Sequence, residues 1–462
     1  MKTEKNTMDK NSSNGPNFQS SSSPVVSLIS LGCAKNTVDS ELILGRFVES
    51  GWMIAEDPAD ADICLVNTCG FIQDAREEAS EVLHELRRLK GAGGPKAVVA
   101  LGCLVKRVAD SPELEPFLEA ADARASFHDY SRLPEICSKL LGESTEEPDP
   151  ESYTDFLIRP RLRVGSPHTA YLKISEGCSN PCTFCSIPKI RGKQISRPMD
   201  DIVAEARSLI DAGAVEINLI AQDTTAYGKD WDGELHLHDL LKRLRDEIED
   251  DVWFRLMYVC PQHLTRGVLE VLASDDRFCR YIDMPLQHIS DRMLTAMGRQ
   301  MIKSQTLEKL DLIRTVLPDC AIRTAFIVGH PGETEEDFTE LLDFVKEGRF
   351  THAGVFAYSA EPGTLSAKME DSVPDAVKED RRAQLMEAQR EVSAARCAAQ
   401  IGQTVEVMID GLSEEGLVAR SQHEAPEVDG VCFLPEFEAV AGDRFDVTVT
   451  GSSDYDLIAD PV

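Results

Sequence analysis

The chain has 462 residues, with 48 Lys and Arg against 80 Asp and Glu, and its formal net charge of −32 argues against a general nucleic-acid binder, since phosphate contacts need cationic side chains. Hydrophobic residues make up 42% and charged residues 28%, an ordinary globular balance, and no apolar stretch approaches the roughly 18 to 20 residues that cross a bilayer. At about 150 residues per domain the length suits three units, and a basic protein partner fits the charge better than a polyanion does.

Residues 1–24 are polar and Ser-rich without an apolar core, so they read as a disordered leader rather than a signal peptide, which places the protein in the cytoplasm. Within residues 25–145, three short β-branched runs (25–30, 63–67 and 97–101) are each followed by an amphipathic stretch, the alternation of an N-terminal parallel α/β domain. Residues 146–167, where Glu, Asp, Pro and Ser accumulate, read as a linker. From 168 to 395, six strand candidates (170–175, 216–221, 253–259, 281–286, 322–328 and 353–358) alternate with helical patterns. That is a (βα)6 count, a partial TIM barrel two units short of the full eight. A helical pattern covers 374–399, and residues 397–462 hold four short strands (404–409, 417–421, 430–434 and 444–450) separated by Gly and Asp turns, which read as a small OB-like β-barrel.

Thirteen cysteines, an odd number without a signal peptide, point to reduced thiols used as ligands rather than to a disulfide framework. Residues 176–185 read Glu-Gly-Cys-Ser-Asn-Pro-Cys-Thr-Phe-Cys, so Cys178, Cys182 and Cys185 form a C-x3-C-x2-C triplet directly after the first strand of the (βα)6 section. Three thiolates in one loop suit three corners of a [4Fe-4S] cluster and leave the fourth iron open. Zinc is the rival reading, but a structural zinc site usually adds a second hook of ligands, and none is nearby. Cys33, Cys69 and Cys103 lie 36 and 34 residues apart, each beside a glycine and each shortly after an N-terminal strand. Parallel strand ends are neighbours in space, so these three would meet at one crevice as a second three-thiolate site. Cys64, Cys137, Cys260, Cys279, Cys320, Cys397 and Cys432 read as small buried hydrophobes.

The first triplet, with Phe184 before its last cysteine, resembles the radical S-adenosylmethionine enzymes. Both triplets in this order, followed by a small barrel resembling a TRAM domain, resemble the methylthiotransferases within them. The pieces are Ser30-Leu-Gly-Cys-Ala-Lys-Asn-Thr37, Asn67-Thr-Cys-Gly-Phe-Ile72, Leu101-Gly-Cys103, Lys173-Ile-Ser-Glu-Gly-Cys178, Arg191-Gly192, Met284-Pro-Leu-Gln-His288, Phe326-Ile-Val-Gly329 and Pro331-Gly-Glu-Thr334. Three further stretches, Ala221-Gln-Asp-Thr-Thr-Ala-Tyr-Gly228, Gln287-His-Ile-Ser-Asp291 and Ala425-Pro-Glu-Val-Asp-Gly430, resemble the branch that modifies ribosomal protein uS12 rather than the tRNA branch.

The resemblance implies two [4Fe-4S] clusters with S-adenosylmethionine, an external electron donor and a sulfur source, and a β-methylthio-aspartate product. By it, Cys178, Cys182 and Cys185 hold the cluster that makes the radical, and Cys33, Cys69 and Cys103 hold the one that carries or donates sulfur. Gln222, Asp223, Lys35 and Asn36 either line the pocket or serve as ordinary caps, and His330, where the family has an aromatic, reads as a packing residue. Charge bears on the branch: residues 401–462 hold fourteen Asp and Glu against Arg420 and Arg444 alone, a net of −12, so no basic track for tRNA can be drawn there. A tRNA methylthiotransferase and a non-catalytic cluster carrier remain the alternatives.

Overall fold

β-branched residues fill the strands of the first sheet: Val25–Ser30 (β1), Met53–Ile54 (β2), Ile63–Thr68 (β3), Ala97–Gly102 (β4) and Ala123–Arg124 (β5) run parallel in the order β2-β1-β3-β4-β5. The protein is a computed structural model that describes residues 23–462 except 144, 145, 147, 150, 234, 235, 371 and 436. All but the end of the expected leader lies outside the described residues. The register aligns Ser30 with Asn67, and Asn67 with Leu101. The chain therefore leaves β1, β3 and β4 at one level of the sheet edge. From there it enters helices Ala34–Glu49 (α1), Gln73–Gly91 (α2) and Cys103–Asp110 (α3).

The central section builds an open sheet from Thr169–Lys173 (β6), Glu216–Ile220 (β9), Trp253–Leu256 (β10), Phe278–Asp283 (β11), Ala321–Val328 (β12) and His352–Ala357 (β13), six parallel neighbours in the order β13-β12-β11-β10-β9-β6. A two-strand pair, Ser175–Glu176 (β7) with Ile195–Ser196 (β8), brackets the cysteine loop. Side chains alternate between the two faces of each strand. Leu172, Leu219, Phe254, Ile282 and Ile322 face the covering helices in the largest core. Ile220, Trp253, Met257 and Tyr281 take the other face, and there they pack with Val38 and Leu42 of α1 and with Met408 and Ala425 from the C-terminal section.

Other segments thus stand where the two missing units of the barrel would be. Charged strand residues on this face find partners in them: Lys173 donates to Asp39 at 2.5 Å, Glu216 pairs with Arg420 at 2.8 Å, and Arg323 pairs with Asp429 at 3.3 Å. Within the stretch read as a linker, Tyr153–Phe156 forms a helical turn, Phe156 and Leu157 are buried in the same core, and Arg161 joins Glu41 to Glu205.

Thr404–Ser413 (β14), Gly416–Ser421 (β15), Cys432–Leu434 (β16), Arg444–Ser452 (β17) and Leu457–Pro461 (β18) close into a barrel. Five strands stand where the sequence suggests four. The extra one, β18, is short, ends in Asp-Pro and reads locally as a turn. No helix among the described residues is long and apolar enough to cross a membrane.

Candidate functional site

The turns after β1, β3 and β4 carry Cys33, Cys69 and Cys103. Cys33 caps the N-terminus of α1 and Cys103 is the first residue of α3, so both sulfurs sit where a helix favours negative charge. Two glycines have a steric reason to be there. At Gly32 (φ +93°) a Cβ would stand 2.7 Å from the Cys69 Cβ, and at Gly102 (φ +89°) it would overlap the Asn67 side chain and the Thr68 backbone. Asn36 ties the turns together, donating to Leu31 O at 2.9 Å and Thr68 O at 3.3 Å. Burial pushes the Cys69 thiol up and the Cys103 thiol up to about 12, and the nearby Cys33 sulfur adds to both.

Cys178, Cys182 and Cys185 lie in the loop between β7 and β8. Cys178 N donates to Gly192 O at 3.1 Å, and Thr183 anchors the loop through Met297 O and Ala296 O. Arg299, half-buried, donates to the Cys182 sulfur at 3.6 Å and to Pro285 O at 3.0 Å. Burial raises the Cys178 thiol and pushes Cys185 up to about 12. Asp223 follows the end of β9. Burial works to raise its carboxyl, but hydrogen bonds from His263, Thr225 and Asn180 at 2.9, 2.7 and 2.8 Å outweigh that and hold it below the ordinary range. Because Asn180 belongs to the cysteine loop, Asp223 moors that loop to the sheet, and it also accepts from Ala226 N as a cap. Beside it opens a cavity of about 220 Å³ lined by Ser179, Asn180, Gln194, Lys229, Asp230 and His263.

One buried network joins the two loops. Arg191 donates to the Cys103 sulfur at 3.3 Å, to Asn36 Oδ1 at 2.6 Å and to Asp39 at 2.7 Å, and pairs with Glu176 at 3.4 Å. Lys173 pairs with Glu176 at 2.9 Å, and Gln222 donates to Glu176 at 2.5 Å. Burial favours the neutral Glu176, yet Lys173 and Arg191 prevail and hold its carboxyl down at about 2. A second clamp lies at the outer edge, where Glu361, in the loop after β13, accepts from Arg76 at 2.5 Å and Arg107 at 2.7 Å. Arg107 also donates to Gly70 O, next to Cys69, at 2.5 Å.

Of the residues read from the sequence, Asn36 and Gln222 join this network, Asp223 braces the cysteine loop, and Lys35 lies over the Tyr258 ring. His330 is buried, bonded to Ser366 and packed edge-on against Tyr358, and Ser366 in turn donates to Thr183 of the cysteine loop at 2.9 Å. Sequence reasoning misses Asp39, Glu361, Arg299 and Tyr258. The seven cysteines read as small hydrophobes are all buried, but Cys260 adjoins the site: with Asp223 and His263 it forms the one trio of metal-type donors among the described residues whose ligand atoms all lie within 4.8 Å. Three thiolates on one zinc ion at about 2.3 Å would sit closer together than that. Both cysteine triplets are more widely spread, which suits a polynuclear cluster, and arginine N–H groups aimed at Cys103 and Cys182 suit sulfurs that carry charge.

The "Radical SAM superfamily" model matches residues 172–345, "Uncharacterized protein family UPF0004" matches 25–119, and the "TRAM domain" model matches 401–462. Ribosomal protein uS12 methylthiotransferase RimO of Anaeromyxobacter sp. (strain K) is 44% identical over 93% of this chain and 91% of that protein. The protein of the same name from Geobacter sulfurreducens is 42% identical over 94% and 98%. Among solved structures, the radical S-adenosylmethionine methyltransferase TsrM from Kitasatospora setae, with cobalamin and a [4Fe-4S] cluster bound, superposes with a TM-score of 0.52 at 15% identity over 73% of this chain and 72% of that one. The cobalamin-dependent S-adenosylmethionine radical enzyme OxsB gives 0.51 at 14% identity over 80% and 56%. These two likenesses are of fold.

Proposed function

Because the chain belongs to the ribosomal protein uS12 methylthiotransferase RimO family, we propose that it methylthiolates the β-carbon of an aspartate in ribosomal protein uS12, in the cytoplasm, with two [4Fe-4S] clusters and S-adenosylmethionine. When bound, these groups supply the one-electron chemistry that removes a hydrogen atom and the sulfur and methyl group that replace it. Cys178, Cys182 and Cys185 would hold one cluster and Cys33, Cys69 and Cys103 the other, each set leaving one iron without a protein ligand. Arg299 and Arg191 offset the charge of the sulfurs they donate to. The buried ion pairs among Asp39, Lys173, Glu176 and Arg191 fix the distance between the two loops and keep water from between them.

The observation that carries this reading is Arg191, one guanidinium in contact with both Cys103 and Glu176, because it sets the N-terminal triplet against the strand ends that carry the other. The choice of a protein substrate draws on charge. Of the two basic residues of the TRAM barrel, Arg420 is buried against Glu216 and Asp410, and Arg444 pairs with Asp251. Neither is left for a polyanion, whereas the acidic surface complements a basic ribosomal protein.

Anaerobic reconstitution with an external reductant and a sulfur source tests the reading. It requires about eight irons per chain for two cubanes, reductive release of 5′-deoxyadenosine, and a mass gain on uS12. Methylthio groups on tRNA and none on uS12 would refute it. Cys182→Ala should abolish 5′-deoxyadenosine, whereas Cys69→Ala should retain some and lose sulfur insertion.

A further inference from the structure

Lys35 sits in the first turn of α1, two residues after Cys33, and is 8% exposed. Its ammonium lies 2.8 Å from the centroid of the Tyr258 ring and makes no hydrogen bond or ion pair among the described residues. The Cys33 sulfur, which also acts on the ammonium, would be taken up by its cluster, and the neighbouring acids are engaged elsewhere. Asp283 accepts from Arg323 and from Tyr258 N, both at 3.1 Å, and Glu176 is held by Lys173, Arg191 and Gln222. A cation–π contact offsets only part of the cost of withdrawing an ammonium from water, so the site is short of one anion.

The surroundings favour an anion that comes from outside. Tyr258 is one of three non-glycine residues with positive φ (58°) among the described residues, held by Asp283 and by Thr224 N, which donates to its carbonyl at 3.1 Å. That backbone supports the ring under the ammonium. Cys33 and Gly32 are exposed and Tyr258 is half-buried, so a short side chain can enter beside Lys35. The position also adjoins the N-terminal triplet, two residues from Cys33.

We propose that Lys35 is a substrate-positioning residue that binds the carboxylate of the aspartate to be modified, pairing with it above the Tyr258 ring. The identity of the substrate rests on the proposed function; the carboxylate subsite rests on the unpaired ammonium. A carboxamide of the same shape would leave the ammonium unpaired, so the site should select Asp over Asn.

The test uses the anaerobically reconstituted chain and labelled uS12 in two forms, with the modified aspartate intact or replaced by Asn. The wild type should bind the Asp form about tenfold or more tighter than the Asn form. Lys35→Met should bind the two alike, with KM for the Asp form raised by a similar factor, and Lys35→Arg should restore the preference, all three chains carrying the same iron. A preference retained in Lys35→Met overturns the inference. So does iron lost from Lys35→Met and not regained in Lys35→Arg, or weakened S-adenosylmethionine binding with the Asp preference intact, which would give the ammonium to the cofactor carboxylate. A wild-type chain that neither binds nor modifies uS12 overturns the proposed function and this inference together, whereas retained preference in Lys35→Met removes this inference alone.

Discussion

Glu361→Ala should loosen the N-terminal sheet from the six-stranded section and, with it, the turn that carries Cys69. The Glu361 side chain is 4% exposed, and it is shared by Arg76 and Arg107, themselves 5% and 3% exposed. Removing it leaves two buried guanidiniums facing each other. Arg107 retains Gly70 O and Pro362 O, but Arg76 loses its carboxylate. Removing one member of a buried pair costs about 3–5 kcal/mol, which at 1.4 kcal/mol per decade is on the order of several hundredfold in local opening. A chain of three packed sections does not melt in two states, so the measurement is amide exchange in α2, α3 and the loop after β13, not a single transition temperature. Exchange there should accelerate by about that factor while β9 to β12 keep their protection. The iron held by the N-terminal triplet should fall with it. Replacing all three residues by Met, Met and Leu should return protection close to wild type, because an apolar cluster costs no ion desolvation. Unchanged exchange in Glu361→Ala would refute the reasoning.

Gly102→Ala meets both a positive φ and the Asn67 and Thr68 atoms where its Cβ must go, so iron bound per reconstituted chain should fall by about half, with the radical triplet spared. Arg420→Met strands the buried Glu216 with Arg255 alone; limited proteolysis should release residues 401–462 faster, and an unchanged cleavage rate would count against the docking role. The same pair sets a pH dependence. Burial acts to raise the Glu216 carboxyl, but Arg255 and Arg420 hold it below its ordinary value of 4.5, so its stabilisation is complete above that value and is lost as pH falls below it. Acid release of the barrel should follow that course in the wild type and flatten in Glu216→Gln. Association with uS12 should slow as salt rises, because much of the acidic surface is exposed and screened; a salt-independent rate would argue for an apolar interface.

The placement of the cysteines was legible because their spacing is local in one triplet and, in the other, tied to strand ends whose positions hydrophobic runs reveal. The βα order was legible for the same reason: apolar runs such as 97–101 and 322–328 admit few other readings. What joins the sections was not. Asp39 and Lys173, or Glu361 and Arg107, lie more than a hundred residues apart and leave no periodic trace, and an isolated charged residue in a strand looks like solvent-facing polarity until another segment covers it. Strands of two residues, such as β2 and β5, are too short for alternation to register. Asp223 caps Ala226, one of the two roles its position suggested, and it also braces the cysteine loop, which nothing local in the sequence indicates; one carboxylate with four lone-pair sites can do both.

The cover over the open face of the six-stranded sheet has a consequence for recombination. Three charged strand residues there are matched by residues from elsewhere in the chain, Lys173 by Asp39, Glu216 by Arg420 and Arg323 by Asp429. A chimera that imports the central section from a relative must therefore import both halves of every match, or it inherits buried ions without counterions. The exchangeable modules of this protein are the contacts across its seams, and the seams are where sequence drift in one section has to be answered in another.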